Sequence, residues 1–199
     1  YKHLGPEIKI IIVIRNTVDR AYSQYIMNIR RGIENLSFED ALSEEKNRYT
    51  LSDYQKNYSY LSRSLYSDQI KRFLTTFPKD NFLFLSFEND IVKNRDLTLK
   101  KIEDFLGVNH ENINVNIKSN ESKESIFPSI NKIIFSKNKI VKFLANILFS
   151  KKMKHNIATK IYNLNIKPNS KGKVDKNTKK QLMKKYFQKD FSETKKLIQ

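Results

Sequence analysis

The chain has no cysteine, which excludes disulfide stapling, cysteine-ligated zinc and thiol catalysis together and fits a reducing cytoplasm. Its three histidines, His3, His110 and His155, are scattered singly, so no histidine metal site is expected. No window holds eighteen uninterrupted apolar residues. The opening YKHLGPEIK lacks the basic flank and apolar run of a signal peptide, so neither a membrane span nor a targeting segment is expected. Glycine is scarce. The four glycines, Gly5, Gly32, Gly107 and Gly172, stand alone, and no glycine-rich loop occurs in residues 1–199.

What is present is a globular composition, 39% hydrophobic and 12% aromatic over 199 residues, enough for one domain with a full core. The formal net charge is +17, very unevenly placed. Residues 1–117 carry 17 Lys and Arg against 16 Asp and Glu, whereas residues 118–199 carry 21 against 5. Every arginine, from Arg15 to Arg95, lies in the first part, and the basic residues of the second are all lysine. Two readings stay open: a codon habit that favours lysine, or a positive field that draws in polyanions and anionic nucleotides.

Along the chain, KIIIVI has the β-branched run of a parallel strand covered on both faces. Asn16 or Thr17 can then cap a helix from about Val18 to Arg31, with Gly32 as its stop. LSFEDALSEEKNRY predicts a second helix with Ser37 as cap and Asp40 three residues on. The tyrosine-rich stretch after it predicts a loop that turns helical near Leu61 and continues to Pro78. NFLFLSFEND is the second strand, and DLTLKKIEDFLGV an amphipathic helix with Leu97, Leu99, Ile102, Phe105 and Leu106 inward and Gly107 as stop. Residues 109–127 predict irregular chain, followed by helices over 129–149, 151–163 and 177–198. Strand, helices, strand, helix is α/β order. No internal repeat is visible.

In an open parallel sheet, ligands bind beyond the carboxyl ends of the strands. Arg15 is the first residue past such an end, and a guanidinium there offers a fixed charge and a planar fork of donors to a phosphate. Ser23, one to two turns into the next helix, can add a hydroxyl, and the helix's positive end assists. Spacing alone leaves the alternative open that Arg15 pairs with a carboxylate such as Asp19 and that Ser23 is an ordinary helix-face residue.

KIIIVIRNTVDRAYSQYIMNIRRGIENLSFEDAL resembles the sulfotransferases that use 3′-phosphoadenosine-5′-phosphosulfate (PAPS), above all their bacterial and heparan-sulfate-type branch. In that branch an apolar strand leads into R-N-P-x-x-R-A-Y-S-x-Y and then L-S-F-E-x-A-L. The resemblance implies that Arg15 and Ser23 hold the 3′-phosphate of the nucleotide. Thr17 stands where the family has proline, a departure that loosens the turn without removing a ligand. YLSRSLYSDQIKRFLTTFPKDNFLFLSFEND is similar to the family's S-R-x-x-Y-x-x-Q-L segment, its F-P turn and a strand ending in an acidic pair. By that likeness Arg63 and Tyr66 are cleft candidates, with an ion pair and a core tyrosine as the plainer readings. Near the end, NSKGKVD resembles the branch's S-K-G-R loop, so Lys171, Gly172 and Lys173 are candidates to wrap the nucleotide. A solvated loop is the other reading there, and Lys173 lacks an arginine's fork.

The resemblance implies a three-layer parallel sheet of the P-loop-NTPase-like sulfotransferase type, truncated at the N-terminus, with a helical Lys-rich C-terminal part. Residues 1–199 would be one partial domain, with 1–117 as its α/β core and 118–199 as a basic helical extension packing on it. The implied reaction is sulfuryl transfer from PAPS to a hydroxyl or amine, on a carbohydrate acceptor, with no metal. The family's G-x-x-K-x-G-T loop and its acceptor-activating base have no counterpart here and are expected upstream, so the catalytic residues are unknown and the fragment alone is expected to be inactive. The rivals are a basic nucleic-acid or polyanion-binding module, which no RNA- or DNA-binding signature supports, and a catalytically dead scaffold.

Overall fold

The computed structural model describes residue 5, residues 7–110 and residues 174–199, together with strand residues 123–125 and 166–168 and a few single positions from 153 to 164. In chain order the elements are β1 (Ile10–Ile14), α1 (Thr17–Arg30), α2 (Phe38–Ser43), α3 (Tyr54–Asn57), α4 (Ser67–Leu74), β2 (Phe82–Ser86), α5 (Arg95–Leu106), β3 (Lys123–Ser125) and β4 (Ile166–Pro168). Two C-terminal helices follow, α6 (Lys176–Leu182) and α7 (Gln188–Ile198), separated by a π-helical turn at Met183–Phe187. The predicted helices over 129–149 and 151–163 and the irregular chain from 109 to 127 lie largely outside the described residues; within the last, Lys123–Ser125 is a strand rather than irregular chain.

The chain divides into two compact units. The first is Tyr1–Ala21, Leu61–Ser119 and Val174–Gln199; the second is Tyr22–Tyr60 and Asn120–Lys173. The first is a mixed helix and strand unit whose β1 and β2 pair in parallel, Ile10 opposite Phe82 through Ile14 opposite Ser86. Parallel pairing is what two runs of apolar residues joined by a long helical crossover require. One expectation fails here. Ile11 is 37% and Val13 44% exposed, so the second face of β1 is not covered among the described residues, although Leu85 on β2 is buried.

Local chemistry sets most helix ends. Asn16 is the cap of α1: its side-chain oxygen accepts the backbone N–H of Asp19 at 3.2 Å and its carbonyl that of Arg20 at 2.9 Å. Gly32, with φ at 68°, follows the last turn, and Ile33 N–H closes back on the carbonyl of Asn28 at 2.9 Å. Ser37 caps α2 through the N–H of Asp40 at 3.2 Å, and its own hydroxyl donates to the Asp40 carboxylate at 2.7 Å. Gly107, with φ at 70°, ends α5.

Two sequence expectations need correction. The helix expected to run unbroken from Leu61 to Pro78 is instead a short 3₁₀ turn at Ser62–Ser64, an extended Leu65, and α4. The expected inward face of α5 is also rotated. Leu97 and Leu106 are exposed, while Thr98 and Glu103 are buried. The Thr98 hydroxyl donates to the carbonyl of Asp90 at 2.9 Å, which satisfies the group that burial would otherwise strand.

In the second unit, Tyr22, Tyr25, Phe38 and Tyr60 form an aromatic cluster with ring centroids 5.1 to 6.3 Å apart. A buried polar network runs beside it. The Arg48 guanidinium pairs with the Glu34 carboxylate, which also accepts the Tyr60 hydroxyl at 3.0 Å and the N–H groups of Asn35 and Leu36. The strands β3 and β4 pair antiparallel in this unit.

Candidate functional site

The register of the parallel pair decides what meets at its carboxyl end. Ile14 lies opposite Ser86, so the residues that follow them, Arg15 and Phe87, leave the sheet side by side. The Arg15 guanidinium carbon sits 4.8 Å from the centre of the Phe87 ring, a cation–π geometry. Arg15 Nε is buried, and no acceptor among the described residues takes its N–H. A buried guanidinium N–H without a partner is costly, and an anion is the natural group to satisfy it. The alternative of an Arg15–Asp19 ion pair does not hold: the Asp19 carboxylate pairs with Lys179.

Two side chains tie down the turn after β1, and a third holds the end of β2. Glu88, next to Phe87, accepts the backbone N–H of Asn16 at 3.0 Å. The Tyr66 hydroxyl accepts the N–H of Arg15 at 3.4 Å. Asp90 accepts the N–H of Ser86 at 2.6 Å and holds the end of β2. The two carboxylates that close the second strand are therefore backbone anchors, Glu88 at Asn16 and Asp90 at Ser86, a role their spacing alone did not announce. Burial pushes the Tyr66 phenol up, and the Glu88 charge adds to the rise, against the pull of the Arg15 N–H and the charges of Arg20 and Arg15. Tyr66 is thus a neutral phenol.

Arg20 lies nearby, its guanidinium donating to the buried Ser64 hydroxyl at 3.1 Å. Arg63 is exposed on the 3₁₀ turn, with no polar partner among the described residues. Of the two cleft candidates, only Tyr66 touches Arg15. Ser23 is exposed on α1 and belongs to the second unit. Lys171, Gly172 and Lys173 lie outside the described residues. Sequence reasoning also missed Asp190, whose carboxylate, from α7, accepts the N–H groups of Tyr66 and Ser67 at 2.9 Å each. Among the described residues, no three His, Cys, Asp or Glu side chains gather as a metal site would require, and no helix is long and apolar enough to cross a membrane.

The family model of the sulfotransferase domain matches residues 2–197. The chain belongs to the sulfotransferase family. It is similar to heparan sulfate glucosamine 3-O-sulfotransferase 6 of Mus musculus and of Homo sapiens, at 31% identity over 105 residues in each case. That stretch is 53% of this chain and 29% of each relative, so the chain spans under a third of the curated relatives it matches. Among solved structures it is similar to a sulfotransferase from Alicyclobacillus acidocaldarius, at 29% identity and a TM-score of 0.48, over 56% of this chain and 45% of that one. Thr17, where the sulfotransferase pattern has proline, is the first residue of α1, the position at which proline is best tolerated in a helix. Asn16 caps the helix at this point.

Proposed function

We propose that this sulfotransferase moves a sulfuryl group from PAPS to a hydroxyl or amine on a carbohydrate acceptor, and that residues 1–199 carry the part that grips the nucleotide's 3′-phosphate. The observation that carries the reading is the buried Arg15 Nε, which has no acceptor among the described residues, at the carboxyl end of a parallel strand pair. Arg15 supplies charge and donors to that phosphate, and Phe87 holds the guanidinium plane in place. Ser23 is assigned to the same phosphate, and Lys171, Gly172 and Lys173 to the nucleotide, by motif. Arg63 and Tyr66 remain candidates for the cleft. The carbohydrate acceptor is suggested by relatives whose names specify a heparan sulfate glucosamine.

In this reading residues 1–199 belong to a domain of the three-layer, P-loop-NTPase-like type. Transfer is a direct in-line displacement that needs no metal, in which positioning and charge stabilisation carry the catalysis. No residue of 1–199 is assigned as acceptor base or as holder of the 5′-phosphosulfate. The protein works in the cytoplasm.

Calorimetry with adenosine 3′,5′-diphosphate tests the proposal. Arg15→Ala is expected to weaken binding by about 1.5 to 3 kcal/mol, the scale of hydrogen bonds to a charged group. Unchanged affinity refutes the assignment. Long DNA that displaces the nucleotide as well as 3′-phosphorylated competitors do would favour a polyanion-binding module instead.

A further inference from the structure

The start of α4 has no local cap. Its N-cap residue, Tyr66, provides no capping side chain, and the first N–H groups of a helix need acceptors. The acceptor comes from far along the chain. Asp190, 8% exposed in the first turn of α7, accepts the N–H of Tyr66 with one oxygen and that of Ser67 with the other. The Ser67 hydroxyl adds a bond at 2.6 Å and the Thr194 hydroxyl one at 3.4 Å. A carboxylate at a helix N-terminus is also favoured by the aligned peptide dipoles. The residue so fixed, Tyr66, is the one whose hydroxyl accepts the Arg15 N–H. The other C-terminal elements touch the first turn of α1, Lys179 pairing with Asp19 and the Thr17 hydroxyl meeting the Met183 sulfur at 3.8 Å.

We infer that Asp190 is a positioning residue for nucleotide binding: it pins the first turn of α4, α4 sets Tyr66, and Tyr66 sets the backbone of Arg15. The inference rests on the assignment of Arg15 to the 3′-phosphate. It gives the C-terminal helices a part in the site that their lysine-rich composition does not suggest.

The test measures affinity for two probes, adenosine 3′,5′-diphosphate and adenosine 5′-monophosphate, together with the thermal midpoint of each variant. Asp190→Ala is expected to weaken the diphosphate roughly tenfold, as the loss of a charge-assisted cap that aims one ligand group would, and to leave the monophosphate unchanged. Asp190→Asn, which keeps an acceptor oxygen and the side-chain shape, recovers part of that loss and serves where the alanine variant does not fold. Lys71→Ala breaks another tie between α4 and α7, the 2.7 Å contact with Glu193, and is expected to shift the midpoint alone. If Asp190 acts through Tyr66, the losses of Asp190→Asn and Tyr66→Phe are non-additive in the double variant. Equal losses for both nucleotides, additive losses, or wild-type affinity in the Asp190 variants overturn the inference. Failure of the unaltered protein to bind the diphosphate would instead remove the nucleotide reading on which it stands.

Discussion

Arg15 and Phe87 leave the ends of two parallel strands together, the guanidinium carbon 4.8 Å from the ring centre. The ring gives the cation a face to lie on without using any of its N–H donors, so the donors stay available to an anion. Phe87→Leu keeps the apolar bulk and removes the π face. It is expected to weaken adenosine 3′,5′-diphosphate by about 0.5 to 1 kcal/mol, the scale of a partly exposed cation–π contact. Calorimetry checks this, and an affinity equal to that of the unaltered protein would show that the ring is only packing.

Asn16 joins the strand end to α1 by capping, and Glu88 holds its backbone N–H in turn. Replacing Asn16 by alanine removes the acceptor for the Asp19 N–H and is expected to cost about 1 kcal/mol of stability. Asn16→Asp, which keeps an acceptor and adds a favourable charge at the helix start, should cost little. Denaturant titration of the two variants distinguishes a cap from a solvent-facing amide.

Most of what was legible in the sequence is local. The two strands, the caps at Asn16 and Ser37 and the stops at Gly32 and Gly107 follow from neighbouring residues, and the structure places each where its pattern puts it. What the sequence hid is non-local. Leu61–Pro78 reads as one helix because its apolar spacing is continuous, yet it breaks at Leu65, and the cap that starts α4 is a carboxylate 124 positions beyond Tyr66. Likewise Thr98 is buried and Leu97 exposed on α5 because the Asp90 carbonyl waits for the threonine hydroxyl, which no hydrophobic period encodes. Arg15 could be singled out from its position after a strand, but the burial of its Nε without an acceptor among the described residues could not.

Gly107 ends α5 in the left-handed region, and a Cβ built there would meet nothing within 4 Å. The cost of a side chain is therefore conformational alone. Gly107→Ala is expected to destabilise the protein by about 1 to 2 kcal/mol, the left-handed penalty for an L-residue. Gly107→Asn should cost less, since asparagine tolerates that conformation. Equal losses for both would indicate a steric neighbour instead.

Glu34 is 4% exposed, and its partners decide its charge. Burial pushes its carboxyl up, but the Arg48 hydrogen bond and the N–H groups of Leu36 and Asn35 together outweigh burial and leave it below its ordinary value of 4.5. A carboxylate lowered on folding contributes stability that is present above that value and is lost as pH falls through the folded one. Stability should therefore begin to fall below about pH 4.5 through this group, and the acid limb of a pH–stability curve should flatten when the pair is broken. Arg48→Met keeps much of the side-chain bulk while leaving the carboxylate buried without its cation, a change that costs about 3 to 5 kcal/mol near neutral pH. Glu34→Gln with Arg48→Met removes both charges and should recover much of that loss, because the penalty comes from the stranded carboxylate rather than from the absent attraction. A double variant no more stable than Arg48→Met would show that the pair contributes through packing against Tyr58, whose ring lies 4.6 Å from the Arg48 guanidinium.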